Sequence, residues 1–470
     1  MISQTLSSVD LAGMEPKFNL QPVAQATRIQ TIDILRGVAL LGILLMNIPA
    51  FGLTEASVQE LIRGPHGGNY WLKTLIYILF ENKMRALFSM LFGAGIILFL
   101  AKSRTGSGMA APELFIRRQL WLIVFGLINA LVLLWHYDIL FDYGIVGIFL
   151  FPFKRLSAKA LVLCAVVVGL IYSGKYYWDF AEQKQKYEKY QKVVAFEKKL
   201  KAVKPANKKV KLTDDQKEDK ETWEGMVKSK KYDKKADKAT ILAMRSDYVT
   251  VWNHLLPQIQ RMEAPFFYQF GLWDMVSMML LGMALFKWGF FSNKLTTSQY
   301  ALLAVGGLLI GQTMAWLSLP SHELKIIDYS KFISTSILPL DDVLMPFERA
   351  FSGIGWASLI LLLYRSGIAQ WLWKGLSAVG QMAFTNYLMQ SVLCTLFFYG
   401  YGLGYYGDLK FYQLYFVVAE IWLIQLVFSV AWLQFFRFGP LEWLWRSLTY
   451  GERQPMRLTQ PATPKTSILA

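Results

Sequence analysis

The sequence predicts an all-α fold: a polytopic membrane bundle of about ten transmembrane helices with a helical extracytoplasmic insert. Three observations carry that prediction. Hydrophobic residues make up 54% of the 470 residues and charged residues only 17%, against roughly 45–50% and about 25% in a globular average. The apolar residues fall in runs long enough to cross about 30 Å of hydrocarbon. The aromatic load is high, with 16 Trp, 23 Tyr and 32 Phe. The two cysteines, Cys164 and Cys394, both lie inside apolar runs and form neither a disulfide framework nor a metal spacing. A secreted disulfide scaffold, a disordered chain and an ordinary cytosolic enzyme are thereby excluded.

The first apolar run, 34–51, serves as a helix and as the insertion signal. Residues 1–27 lack the succession of charged, apolar and small residues of a cleaved signal peptide, so none is expected. Further spans are expected near 86–101, 119–136, 139–153, 157–175, 266–287, 298–318, 347–364, 376–399 and 412–436. The stretch 70–82 reads as an additional amphipathic or re-entrant helix leading into the polar run 81–85. Lys and Arg in the short loops divide 18 to 8 between the two sides. By the positive-inside rule, both termini are expected to be cytoplasmic. The expected divisions are a tail 1–28, membrane helices 29–175, the insert 176–262, membrane helices 263–437, and an interfacial helix and tail 438–470.

Residues 175–261 hold 22 Lys/Arg and 13 Asp/Glu, so a net +9 of the chain's +16 sits in one loop. Long loops cross the membrane largely regardless of charge, which allows this one to lie outside. Its many acidic neighbours, and its place on that side, argue against nucleic-acid binding. Tyr187, Tyr190 and Val194 keep helical spacing, which carries the fifth span into water until about Pro205. Thr213 and Gln216 fit a capping box. Ile241, Met244, Tyr248, Trp252 and Leu255 repeat at helical spacing and are expected to end before Pro257. The alternative for 204–238 is a solvated charged loop. Gly307 and Gly311 form a close-packing GxxxG, and Gly375, Ser377, Ala378, Gly380 and Ala383 make a small-residue face.

An ionisable group at membrane depth is costly and marks a candidate site. Asp33, Arg36 and Asn47 interrupt the first span. Arg36 and Asn47 are separated by 11 residues, roughly 16 Å of rise, and point within about 20° of each other. This face carries either an interfacial anchor or the start of a binding site. Gly37 beside Arg36 lets a backbone or a ligand approach. After Asn129 comes Trp135-His136-Tyr137-Asp138, with Asp142 one turn beyond Asp138. His136 with Asp138 is too sparse for a metal site, and no metal is expected. A general acid/base pair and a turn that caps two helices remain the two readings. Asp274, Glu348, Arg349, Asn386, Gln390 and Glu420 are further intramembrane polar residues. Asn386 and Gln390 either bond between helices or face a ligand. All four histidines (His66, His136, His254, His322) fall on the outer side, and His66 lies in the flexible Gly64-Pro65-His66-Gly67-Gly68 loop.

Taken jointly, several motifs resemble one family. They are Thr31-Ile-Asp33-Ile-Leu-Arg36-Gly37 running to Asn47, Phe88-Ser89-Met-Leu-Phe92-Gly93-Ala-Gly95, and Asp138-Ile-Leu with Tyr143. Gly380-Gln-Met-Ala383-Phe-Thr385-Asn386-Tyr387-Leu-Met-Gln390-Ser391 and the tail Gly439-Pro440-Leu441-Glu442-Trp443-Leu444-Trp445-Arg446 complete the set. Over roughly 28–455 the chain resembles the YeiB-like family of bacterial inner-membrane proteins, which carry the domain of unknown function 418. That family is similar to the wider transmembrane acyltransferase group. The resemblance implies a core of about ten helices, a cytoplasmic acyl-CoA donor, acetyl-CoA foremost, and an acceptor reached from the outer side. Asp33, Arg36 and Gly37 map onto the group's Asp-x-x-Arg-Gly opening. Asn47 stands where many relatives have a first-span His. His66 lies in the loop that holds the catalytic His of the lysosomal glucosaminide acetyltransferase.

The leading expectation is therefore a membrane-embedded acyltransferase acting on a glycan, lipid or small molecule. Arg36, Arg117, Arg118 and Arg446, with Asp33, Asn386 and Gln390, are expected at the donor. His66 or His136, with Asp138 and Asn47, is expected at the chemistry. Expected partners are the lipid bilayer, the donor, the acceptor and a second copy in a homodimer. A proton-coupled transporter and a non-catalytic membrane sensor are the alternatives.

Overall fold

The computed structural model describes residues 29–102, 110–203 and 212–458. The tail 1–28, and Lys17, Arg28, Arg104 and Lys465 from the charge count, lie outside the described residues. The described residues form helices, turns and loops and no β-strand. The first half contains α1 (Gln30–Gly52), α2 (Glu55–Arg63), α3 (Gly68–Leu79), α4 (Lys83–Lys102), α5 (Ala110–Leu131) and α6 (Leu140–Leu150). α7 (Ala158–Val203) then runs 46 residues from the bundle into the insert, as the Tyr187/Tyr190/Val194 spacing predicts.

The insert continues with α8 (Asp214–Lys230), α9 (Lys234–Met244) and α10 (Tyr248–Arg261). The capping box at Thr213 and Gln216 is formed. Most of 212–238 is helical, as expected, and the alternative of a solvated loop does not hold there, because Thr213 and Asp233 cap helix starts and Trp223 buries against Tyr329, Phe332 and Ile333. One expectation is corrected. α10 passes through Pro257 and does not stop before it, since the apolar face ending in Ile259 stays buried. The insert sits on the end of the bundle opposite the start of α1. Thr54 bonds Asp237, Arg245 pairs with Asp408, and the Gly400 amide donates to the Met244 carbonyl (2.9 Å).

A wide-turned π-helical segment, Met262–Gly271, leads into α11 (Leu272–Lys287). α12 (Thr297–Ile327), α13 (Tyr329–Thr335), α14 (Leu340–Val343), α15 (Met345–Arg365), α16 (Gln370–Gln381), α17 (Ala383–Phe398), α18 (Leu414–Phe435) and α19 (Pro440–Tyr450) complete the chain. Among the described residues, seven helical stretches are long and apolar enough to cross a membrane. The chain is thus a multi-pass helical membrane protein. The other three expected spans take different forms. Span four is the 11-residue α6, span eight is α15 with Glu348 and Arg349 in its first turns, and span nine breaks at Met382 into α16 and α17.

Helix crossings fall where side chains vanish. Gly37 of α1 meets the Leu376 carbonyl and Gly380 of α16 meets the Asp33 carbonyl, each too close for a Cβ. Gly93 and Gly282 do the same for α4 against α11, and the Gly307/Gly311 pair lies on Gly355 and Ser352 of α15. A Gly380→Ala protein is therefore expected to lose more than about 2 kcal/mol through overpacking. Gly306→Ala, facing open space, should change stability by no more than about 1 kcal/mol. Thermal unfolding in detergent compares the two.

Candidate functional site

Three polar centres lie along the bundle. The first is at the end where α1 begins. Thr31 Oγ1 donates to the Phe291 carbonyl (2.6 Å) and fixes that start. Asp33 is buried, and its Oδ1 stands 3.6 Å from Arg36 Nη1. Arg118 of α5 lies within electrostatic range of Arg36 and Arg446. Its guanidinium sits 4.1 Å from the Trp445 ring centre and 5.3 Å from that of Phe99. The Trp445 indole donates to the Arg118 carbonyl (3.0 Å), which ties α19 to α5. A small cleft of about 50 Å3 opens here, lined by Phe99, Arg118, Trp445, Arg446, Thr449 and Tyr450. Glu442 holds α19 in place by accepting from the Phe384 and Thr385 amides (2.7 and 3.0 Å) at the open start of α17. Burial raises its carboxyl pKa against those bonds.

Of the donor-site residues expected from the sequence, the fold brings Asp33, Arg36, Arg118 and Arg446 together. Arg117 faces outward and pairs with Glu113 (3.1 Å). Asn386 and Gln390 lie deeper and are tied between helices. Asn386 Nδ2 donates to Ser429 Oγ (2.8 Å), Gln425 Nε2 to the Asn386 carbonyl (2.7 Å), and Gln390 Nε2 to Gln425 Oε1 and the Leu40 carbonyl. The phenyl and indole walls of the cleft escaped the sequence reading, because an aromatic at helical spacing looks like core.

The second centre is the turn between α5 and α6. Asp138 caps α6: it accepts from Asn129 Nδ2 (2.7 Å) and from the Leu140 and Phe141 amides (2.8 and 2.9 Å), with the Tyr387 hydroxyl close by. Burial raises its carboxyl to about 6 despite these bonds. The expected pairing of Asp138 with His136 is not made, because the amides of α6 and Asn129 already take the carboxylate. His136 is buried between Trp135 and Tyr137, its Nδ1 has no hydrogen-bond partner, and burial lowers its pKa to about 4. It is neutral at neutral pH and can accept a proton. Trp135 stacks on Phe51 (3.8 Å), one turn beyond the half-buried Asn47. His66 is exposed and stacks on Tyr70 (3.7 Å), on α3.

The third centre is buried among α4, α6, α11 and α15. Asp274 Oδ2 is clamped by Arg349 Nη1 (2.6 Å) and Arg85 Nη2 (3.0 Å). Lys83, 1% exposed, pairs with Glu348 (2.6 Å) and donates to the Tyr77 carbonyl (2.7 Å). Ser89 and Tyr143 share a 2.6 Å hydrogen bond. Asp142 lies within electrostatic range of Arg85 and of Glu263, which stands on the π-helical segment. Glu263 was missed in the sequence, where it falls at the edge of the insert beside Pro265. Glu420, in contrast, is exposed on α18.

Asp274→Ala leaves the buried guanidinium of Arg349 and the partly exposed one of Arg85 without their carboxylate and is expected to cost about 3–5 kcal/mol, read by thermal unfolding. His136 sets a pH dependence. Its folded pKa lies below the ordinary 6.5, so its stabilising contribution is complete above about 6.5 and is lost as pH falls to about 4. The full loss is about 3 kcal/mol. His136→Asn should flatten the stability profile over that window.

The family profile described as "Protein of unknown function (DUF418)" matches residues 285–452, from the end of α11 through α19. Over nearly the whole chain the protein is similar to Uncharacterized protein YeiB of Escherichia coli. That match is 31% identical over 447 residues, covering 93% of this chain and 98% of the relative. Uncharacterized protein YxaH of Bacillus subtilis is 28% identical over 446 residues, with the same coverage. An uncharacterized 39.9 kDa protein of Bacillus acidopullulyticus is 25% identical over 452 residues, 94% of this chain and 100% of the relative. No solved structure matches. With a relative at 31% identity aligned from end to end, the chain belongs to the YeiB-like family of proteins that carry the DUF418 domain.

Proposed function

We propose that the protein is a membrane-embedded acyltransferase. In this reading it takes an acyl group from a CoA-like thioester and passes it to a hydroxyl or amine acceptor reached from the opposite side. The observation that carries the reading is the convergence of Arg36, Arg118 and Arg446 at one end of the bundle, beside Phe99 and Trp445. Clustered guanidinium groups suit the phosphates of such a donor, and an aromatic wall suits its base. α1 runs from this cluster past Asn47 to Phe51, against which Trp135 and then His136 pack. Acyl transfer needs a base that removes the acceptor proton and returns one to the departing thiolate. A neutral, buried imidazole fills that role, which favours His136 over the exposed His66. The asymmetry of Lys and Arg in the loops supports placing the arginine cluster and both termini in the cytoplasm, across a bacterial inner membrane.

One observation favours a second reading, a proton-coupled carrier. Charged groups run deep through the bundle, from Lys83 and Glu348 to Asp274 and Asp142, as they do in proton relays.

Purified protein in detergent should gain thermal stability with acetyl-CoA or a longer acyl-CoA, since a ligand of the folded state stabilises it by mass action. Arg36→Ala and Arg118→Ala should each weaken that binding at least about tenfold, a loss of one charge-assisted contact. No shift with any acyl-CoA in folded protein would overturn the donor site and leave the carrier reading standing.

A further inference from the structure

We propose that the open cleft at the Phe435 end of α18 is a binding site for an anionic phospholipid. Arg453 and Arg457 hold the headgroup phosphate, and the acyl chains lie along α18. The cleft measures about 740 Å3 and is lined by Phe436, Arg453, Gln454, Pro455, Met456 and Arg457. That is within the range of small-molecule sites, roughly 300–1,000 Å3. Its wall is fixed by hydrogen bonds. After α19 the chain folds back along the end of α18, so that the Arg437 amide donates to the Met456 carbonyl (2.9 Å) and the Leu458 amide to the Phe435 carbonyl (3.1 Å). The Trp443 indole donates to the Gln454 carbonyl (2.7 Å), and the Trp432 indole to the Phe438 carbonyl (2.9 Å). These bonds hold the backbone that carries the two arginines.

The depth of the cleft follows from α18. This helix belongs to the 25-residue apolar stretch Phe411–Phe435, roughly 37 Å of helix. That exceeds about 30 Å of hydrocarbon, so the Phe435 end emerges among headgroups. Trp432 and Phe436 stack there (4.2 Å between ring centres), where aromatic side chains favour the membrane interface. The charge at this level is positive. Both arginines are exposed, and Arg453 lies 5.8 Å from the Trp443 ring centre. Among the described residues neither pairs with a carboxylate, and no Asp or Glu follows Glu452 in the sequence. Glu442 is committed to the start of α17. Two guanidinium groups without a counter-charge at headgroup depth suit a phosphate. The wall of α18 makes that phosphate a lipid's. Leu423, Val427 and Val430 share one exposed face, and Phe435 beside the cleft is exposed as well. From Leu423 to Phe435 they offer about 18 Å of apolar surface. The cleft shares no lining residue with the one at Arg118, so the proposal stands apart from acyl transfer.

Native mass spectrometry of the full-length, delipidated protein in detergent tests this, with phosphatidylglycerol, phosphatidylcholine of the same acyl chains, and glycerol phosphate as probes. The wild type should retain phosphatidylglycerol at concentrations where phosphatidylcholine and glycerol phosphate are lost. Replacing both arginines, Arg453→Gln with Arg457→Gln, should weaken that binding at least about tenfold. Lys238→Gln, at an exposed position in the insert, should leave it unchanged. Equal binding of phosphatidylcholine would show an unselective lipid surface, and equal binding of glycerol phosphate a site for soluble anions. Either result overturns the proposal. So does undiminished binding in the arginine variant, an equal loss in Lys238→Gln, or a second copy of the chain that excludes the lipid. If the arginine variant does not fold, the wild-type comparison of the three probes decides by itself.

Discussion

The clamp on Asp274 is the interaction on which the bundle depends. One carboxylate oxygen holds Arg349 of α15 and Arg85 of α4 at once, so three helices are locked by charges that apolar surroundings make expensive to separate. Lys83 and Glu348 repeat the arrangement one step along the same pair of helices. Where such groups are buried, each must find its counter-charge inside the protein, because neither lipid nor water is there to supply it. That requirement fixes the rotation of α4 and α15 about their axes. It also explains why α15 tolerates a Glu and an Arg in its first turns.

Around this clamp the backbones approach at glycines. α1 is pressed on α16 at Gly37 and Gly380, and α4 on α11 at Gly93 and Gly282. The close α1–α16 contact has a consequence for the site. Asp33 and Arg36 flank the Gly37 crossing, so their position is set by backbone packing rather than by a flexible loop. α19 is then fixed to α5 and α17 by Trp445 and Glu442, which brings Arg446 within range of Arg118, itself within range of Arg36. A rigid cation cluster of this kind binds an anion without first paying to order its side chains.

The insert is a second, smaller structure resting on the far end. Its core is Phe180, Trp223, Tyr329, Phe332 and Ile333, drawn from both the insert and α13. Matching all of a 39.9 kDa relative takes 94% of this 53.8 kDa chain. The aligned part of this chain is therefore heavier than the relative by about 10 kDa.

The sequence by itself determined the class of the protein. Apolar runs of membrane length, glycine spacing and the Asp33-x-x-Arg36-Gly37 opening are local properties, readable along one helix at a time. The same holds for the capping box at Thr213 and the continuation of α7 into the insert. The number of full crossings was less legible, because α6 is short and α16 breaks from α17 at Met382, where tertiary packing overrides hydrophobicity. The pairing of polar groups was not legible at all. Asp138 looked like the partner of His136, two residues away, yet the start of α6 claims it. Asn386 and Gln390 looked available, yet Gln425 and Ser429 take them. Arg85, Asp274 and Arg349 lie far apart in the chain, and yet they meet. Only the folded bundle decides which charges meet, because a buried charge is paired by whatever helix packs against it and not by its neighbours in sequence.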